Sequence, residues 1–239
     1  MLFDLAELTL ESGQASSAAA KFAQIIELDP GHYESHYALG TVWLEMGQPA
    51  QAVESFQTVV RLASNDPGLP RFHKHYGEAL LALGKFRDAR RRLRRATEED
   101  PADPAVAMLL ADCLLAEDKP ATASDWFRRV LALDANNAVA HHKLGMCQFK
   151  QGRHEPGLMH CLKAVELKPD YMAAMHNAIV AQLHLARWKD ARAMLRRAIA
   201  IDPSYAPVRE VGKRMWRYRA RHYARRITGL IGGRSRRSA

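Results

Sequence analysis

The side chains best equipped for chemistry in this 239-residue chain are its eleven histidines and three cysteines. His36, His73 and His141 fall at one recurring position of a helical pattern, and His32 and His36 lie one turn apart. A metal centre needs three or four converging donors whose free edges are themselves held by partners, and these histidines are spread along the chain. The segment His32-Tyr-Glu-Ser-His36 does not follow the H-E-x-x-H order that sets two zinc ligands and a general base on one helix face. Cys113, Cys147 and Cys161 form no C-x-x-C pair and are too few and too scattered for a disulfide framework, so they are expected as small buried thiols. A Gly-rich phosphate loop and a G-x-S-x-G elbow are both missing from the sequence. These residues therefore predict packing and partner contacts, with no catalysis, no metal, no cofactor and no small-molecule substrate.

Composition narrows the setting. Hydrophobic residues make up 48% and charged residues 26%, a globular balance. No run approaches the roughly twenty apolar residues that span a bilayer. The first residues, MLFDLAELTLESG, carry Asp4, Glu7 and Glu11 where a secretory leader carries Lys or Arg, which predicts a cytoplasmic protein. The net charge of +9 is unevenly placed. Residues 1–205 hold 24 Lys and Arg against 25 Asp and Glu, whereas residues 206–239 hold eleven Lys and Arg against Glu210 alone. The body is near neutral and the tail is a cation.

The elements that must position any site are set by an internal period. Small residues recur at Ala18, Ala52, Ala89, Ala123, Gly157 and Ala191, spaced 34, 37, 34, 34 and 34 apart. Four residues later come Phe22, Phe56, Leu93, Phe127, Cys161 and Leu195, and three beyond those Ile25, Val59, Ala96, Val130, Ala164 and Ala198. Steps of four and three place all three ladders on one helix face. Upstream, a second helix in each unit carries Leu5-Ala6, Leu39-Gly40, Tyr76-Gly77, Leu110-Ala111, Leu144-Gly145 and Ala178-Ile179. Seven residues after each small position stands a turn residue: Gly13, Gly47, Gly84, Asp118, Gly152 and Ala186. Four units close on a proline: Pro30, Pro101, Pro169 and Pro203.

This pattern of L-G, A-x3-F and terminal Pro at a 34-residue period resembles the tetratricopeptide repeat. The resemblance covers about residues 1–205 and implies an all-α, right-handed α-solenoid of about six helix-turn-helix units, near 1–32, 33–66, 70–103, 104–137, 138–171 and 172–205. Residues 206–231 are expected to add a basic amphipathic capping helix, and 232–239 a disordered basic tail. Three departures stand out. Extra residues around Asp66-Pro67-Gly68-Leu69-Pro70 make the 37-residue step and are expected to change the angle between the second and third units. Met1 falls inside the first helix, which thus lacks its usual start. Ile179, in a slot meant for a small residue, is expected to splay the sixth unit.

The resemblance further implies that the first helix of each pair lines a concave surface where peptides or partner helices lie. In register, the inward positions are Tyr37, Thr41 and Leu44; Lys74, Glu78 and Leu81; Met108, Asp112 and Leu115; His142, Met146 and Phe149; and His176, Val180 and Leu183, with Glu7, Glu45, Lys150 and His184 beside them. This wall is acidic early and His/Lys-bearing late, over an apolar floor, which suits a peptide or helix of mixed charge with its basic part toward the N-terminal units. Relatives that clamp a carboxylate use Lys, Asn and Arg at places where this chain has Lys74, Glu78, Leu109, Val139 and Lys143, and only the first matches. The asparagine ladder of O-linked N-acetylglucosamine transferase would fall on Asp4, Ala38, His75, Leu109, Lys143 and Asn177, with one Asn among six.

Arg90 to Arg92, Arg94-Arg95, Arg128-Arg129 and Arg196-Arg197 fall at matched places on second helices and are expected on a solvated convex face. In the tail, Val208, Val211, Met215 and Tyr218 form a stripe suited to capping the last repeat. A second stripe of Trp216, Ala220, Tyr223, Ile227 and Leu230 is flanked by Lys213, Arg214, Arg217, Arg219, Arg221, Arg225 and Arg226. A basic helix with Trp and Tyr suits an anionic membrane surface, placing the protein at a membrane's inner face, or nucleic acid, or neither. The sequence thus predicts a non-catalytic scaffold or adaptor binding a protein segment in its groove. The alternatives are attachment to a membrane surface or nucleic acid through the tail, or service as the regulatory subunit of a separate enzyme.

Overall fold

The three ladders of the second helices, Leu195 apart, become buried helix faces. The computed structural model describes residues 2–63 and 67–234, with side chains as far as residue 220. Thirteen helices and no strand are found among the described residues: α1 (Leu2–Glu11), α2 (Ala15–Leu28), α3 (Tyr33–Glu45), α4 (Pro49–Leu62), α5 (Phe72–Ala82), α6 (Phe86–Glu99), α7 (Pro104–Ala116), α8 (Pro120–Leu133), α9 (Ala138–Lys150), α10 (His154–Leu167), α11 (Met172–His184), α12 (Trp188–Ile201) and α13 (Ala206–Arg234). This is an all-α repeat fold of the solenoid class. The helices fall into two compact units, Met1–Lys119 and Pro120–Ala239.

The reason for the small residues is direct contact. A methyl placed on Gly40 would stand 2.5 Å from the Phe56 ring, and one on Gly77 would stand 2.7 Å from Leu93 Cγ. Phe22, Phe56, Leu93, Phe127 and Cys161 are fully buried, and each large side chain so placed contributes about 2–3 kcal/mol of apolar burial. Only Leu195 of that ladder stays half-exposed. The turn ladder also has a backbone cause. Gly13, Gly47, Gly84 and Gly152 adopt φ between 69° and 78°, and Asp118 and Ala186 hold the same left-handed turn at 57° and 59°. Prolines end the second helices by forcing the preceding residue out of the helical region. Asp29, Asp100, Lys168 and Asp202 are all extended, with φ between −138° and −132°.

Ile179 is fully buried among Ala191, Ala198, Met175 and Val208. The small residues of α12 leave room for its side chain, and so the bulk is taken up without exposure. In the same cluster, Val208 and Val211 of α13 pack into the interior while Met215 and Tyr218 lie against its edge. The helix does not stop near 231: it runs through Gly232 and Gly233 to Arg234. Glycine in a helix costs about 1 kcal/mol relative to alanine but leaves the backbone hydrogen-bond ladder intact. The rest of the expected tail, 235–239, lies outside the described residues, as do the side chains of Arg221, Tyr223, Arg225 and Arg226.

Candidate functional site

Within the first unit, the first helices of three successive pairs wall a cleft of about 800 Å³. Its apolar floor is Phe3 and Leu10 of α1, Phe22 of α2, and Ala38 and Leu44 of α3, with the ring of Tyr37. Around this floor stand five carboxylates: Glu7 and Glu11 on α1, Glu34 and Glu45 on α3, and Glu78 on α5. Glu34 lies 3.6 Å from His32 Nδ1, and the other four have no cation within ion-pair distance among the described residues. Thr41 completes this wall. Like charges held on three rigid helices over an apolar surface repel one another, and a bound cation relieves that repulsion.

The fourth wall comes from the extra residues of the 37-residue step. Leu69, Pro70 and Arg71 line the cleft, tied in place by Tyr37, whose hydroxyl donates to the Pro70 carbonyl at 2.6 Å. With that proton committed, His75 Nδ1 donates to Tyr37 Oη at 2.9 Å, and the two rings stack at 22°. Burial pushes the Tyr37 hydroxyl up to about 12. Burial, then the charges of Lys74 and Arg71, pull His75 down to about 4, so the imidazole is neutral near pH 7. Arg71 adopts φ 61° at the start of α5, a left-handed backbone unusual for a side chain of its size. The pattern of first-helix positions did not identify Leu69, Pro70 and Arg71 as wall residues, and it reached His75 only as a slot of the asparagine ladder. The available signal was the three-residue insertion itself, read as a change of angle between units.

Lys74 turns away from this cleft. It donates to Asp103 Oδ2 at 2.9 Å and lines a second cleft of about 350 Å³ with Arg71, Glu99, Asp100 and Val106. Asp103 also caps α7, accepting from the Ala105 and Val106 amides. Burial opposes its charge, yet Lys74 and those amides hold the Asp103 carboxyl below its usual range. Met108 and Asp112 lie half-buried on α7, outside the cleft.

In the second unit several expected groove residues are packing residues instead. His142 is 6% exposed, and its Nδ1 lies 3.0 Å from Tyr171 Oη while Asn177 Nδ2 donates to its Nε2 at 2.8 Å. Burial, then Lys143 and His176, pull it down to about 4. Register alone put His142 inward; the ring instead closes a polar network between α9 and α11. Phe149 is half-buried with its ring over Gly157, where a methyl would come within 2.3 Å of it. Leu183 belongs to the interior. His184 stacks on His154 at 4.9 Å and meets Tyr218 of α13 edge-on. His176, Met146 and Val180 remain half-exposed, and His176 faces Asn177 Oδ1 at 3.3 Å.

The arginines divide too. Arg94, Arg95, Arg128, Arg129, Arg196 and Arg197 are exposed. Arg92 is 7% exposed, its guanidinium 4.6 Å from the Tyr76 ring centre and 5.9 Å from that of Phe72. The face it shares with Ala89 and Ala96 points inward, and the aromatic rings offer a cation the contact that water would have given. On α13, Lys213 and Arg214 pair with Glu210, and Trp216 is 65% exposed beside Arg217. Arg219 is exposed as well. Among the described residues no group of three or more His, Cys, Asp or Glu converges as a metal-ligand set, and no helix is long and apolar enough to cross a membrane.

Family models described as tetratricopeptide repeats match residues 9–69, 77–138 and 138–171. The chain is 24% identical over 203 residues to a tetratricopeptide repeat and J domain-containing co-chaperone of Cryptococcus neoformans, covering 83% of this chain and 34% of that protein. It is 22% identical over 233 residues to a peroxisomal targeting signal receptor of Kluyveromyces lactis, covering 83% of this chain and 41% of the receptor. The chain thus spans well under half the length of either relative. Among solved structures, YrrB, described as a TPR protein with an unusual peptide-binding site, superposes with a TM-score of 0.64 at 19% identity, over 80% of this chain and 97% of that one.

Proposed function

The chain belongs to the tetratricopeptide-repeat family, and we propose that it is a non-catalytic interaction scaffold whose binding surface is the acid-walled cleft of its first unit. The ligand class is a peptide or helix with Lys or Arg side chains set against Glu7, Glu11, Glu45 and Glu78, and apolar ones over Phe3, Leu10 and Leu44. The observation that carries this reading is the gathering of carboxylates lacking internal partners around an apolar floor. Stable folding alone gives no reason to place them there, whereas a basic segment gains both charge pairing and burial. Two relatives named as a co-chaperone and a targeting signal receptor, and the peptide-binding site described for YrrB, support the reading at the level of protein binding.

The test is fluorescence anisotropy with labelled Lys/Arg-rich and Glu-rich peptides of equal length. The wild-type chain should prefer the basic peptide and lose it as salt rises, because exposed charge pairs are screened beyond about 10 Å at 0.1 M salt. Glu45→Lys with Glu78→Lys should weaken binding by about tenfold or more while the helical circular dichroism spectrum stays native. Equal binding of both peptides, or binding indifferent to the reversal, would sink the proposal.

A further inference from the structure

The same chain carries a segment with the chemistry this cleft calls for. From Val211 to Ala239 there is no acidic residue, and Arg217, Arg219, Arg221, Arg225, Arg226, Arg234, Arg236 and Arg237 follow one another. The backbone is one unbroken helix from Ala206 to Arg234. Val208, Val211, Met215 and Tyr218 root its beginning in the second unit's interior. Trp216 remains largely exposed with the Arg217 guanidinium over its ring, so the segment brings an aromatic surface along with its charge. Arg217, Arg221 and Arg225 recur every four residues in the sequence.

We infer that the acidic cleft of one molecule takes the arginine-rich end of α13 from a second copy, so that the protein associates head to tail. The inference rests on the cleft being a site for basic segments, as proposed above. Charge complementarity selects the occupant: four carboxylates with no cation within ion-pair distance outnumber Arg71 in the cleft of the first unit, and the last helix carries a run of arginines with no acid after Glu210. Because cleft and helix end are different surfaces, the contact is heterologous and can propagate from copy to copy. Its strength should fall steeply with ionic strength.

Sedimentation velocity of the full chain over a concentration series at low and high salt tests this directly. The expected result is concentration-dependent association at low salt that weakens by about tenfold or more at high salt. Two full-length variants separate the surfaces. In one, Glu45→Lys and Glu78→Lys reverse the cleft; in the other, Arg219→Gln, Arg221→Gln, Arg225→Gln and Arg226→Gln neutralise the helix. Each alone should be monomeric. Mixed, they should form a one-to-one complex, since one supplies an intact cleft and the other an intact helix end.

A full chain that stays monomeric at low salt, variants that associate like the wild type, or a mixture without complex would each overturn the inference. A labelled peptide of residues 213–239 and a scrambled peptide of the same composition separate this failure from failure of the cleft reading. If both bind the helix-neutralised chain while the full chain is monomeric, self-association falls and the cleft reading stands. If neither binds, both fall. If the 213–239 peptide binds phosphatidylserine vesicles or RNA but not the helix-neutralised chain, the helix end serves an anionic surface and the inference is overturned.

Discussion

Tyr37 of α3 and His75 of α5 lie 2.9 Å apart, Oη to Nδ1, with their rings stacked, and the same hydroxyl holds the Pro70 carbonyl. This one side chain joins the inserted segment to the cleft it walls. Tyr37→Phe keeps the ring and removes the tie. It should cost about 1 kcal/mol in urea unfolding, and leaves the His75 Nδ1–H without its partner. Amide exchange at residues 69–75 should accelerate while the α9–α12 amides do not change. Uniform protection in the variant would show that the hydroxyl does not hold the segment.

Acidification should destabilise the fold through its buried imidazoles. His75 and His142 are both pulled down to about 4 from an ordinary 6.5, with burial as the leading cause, and His160 and His176 are lowered for the same reason. Between those values the unfolded chain binds protons that the folded chain does not, so stability rises with pH. The contribution is complete above about 6.5 and is lost as pH falls toward 4. Urea midpoints should therefore drop between pH 7.5 and 5, and His75→Gln with His142→Gln should flatten that drop. An equally steep drop in the double variant would assign the effect to other groups.

Gly145 of α9 meets α10 at a place with no slack. A methyl there would stand 2.9 Å from Cys161 Sγ and 2.9 Å from the Gly157 carbonyl oxygen, and backbone cannot step aside. Gly145→Ala should cost about 2–3 kcal/mol as overpacking, whereas Arg129→Ala on the exposed face of α8 should change stability by about 0.5 kcal/mol or less. Thermal and urea unfolding compare the two. Similar losses would contradict the close approach.

Ala186 holds the left-handed turn that glycine holds in four other units, at φ 59°. Its methyl pays the steric cost of that region, which glycine avoids. Ala186→Gly should raise stability by about 1 kcal/mol, visible as a higher urea midpoint with unchanged slope. A loss would mean that the added freedom of the unfolded chain outweighs the relieved strain.

The 34-residue period determined the helices, their order and their buried faces. Close packing between neighbouring helices is a local demand, repeated in register, and it leaves its mark residue by residue: Gly40 under Phe56, Gly77 under Leu93, Gly145 against Cys161. The acidic cleft was partly legible in the same way, since Tyr37, Thr41 and Glu78 stand at matched positions of successive first helices. What only the tertiary structure decided was the fate of side chains whose neighbours lie outside the period. Lys74 finds Asp103, His142 finds Tyr171 and Asn177, and Arg92 finds two aromatic rings, so each leaves the surface that register assigned to it. The insertion at 67–71 has no counterpart in the other units, and its place in the cleft wall follows from one hydrogen bond to Tyr37. Periodicity records contacts that recur; a polar group that meets its partner only once leaves no repeated trace, and its position is set by the folded chain.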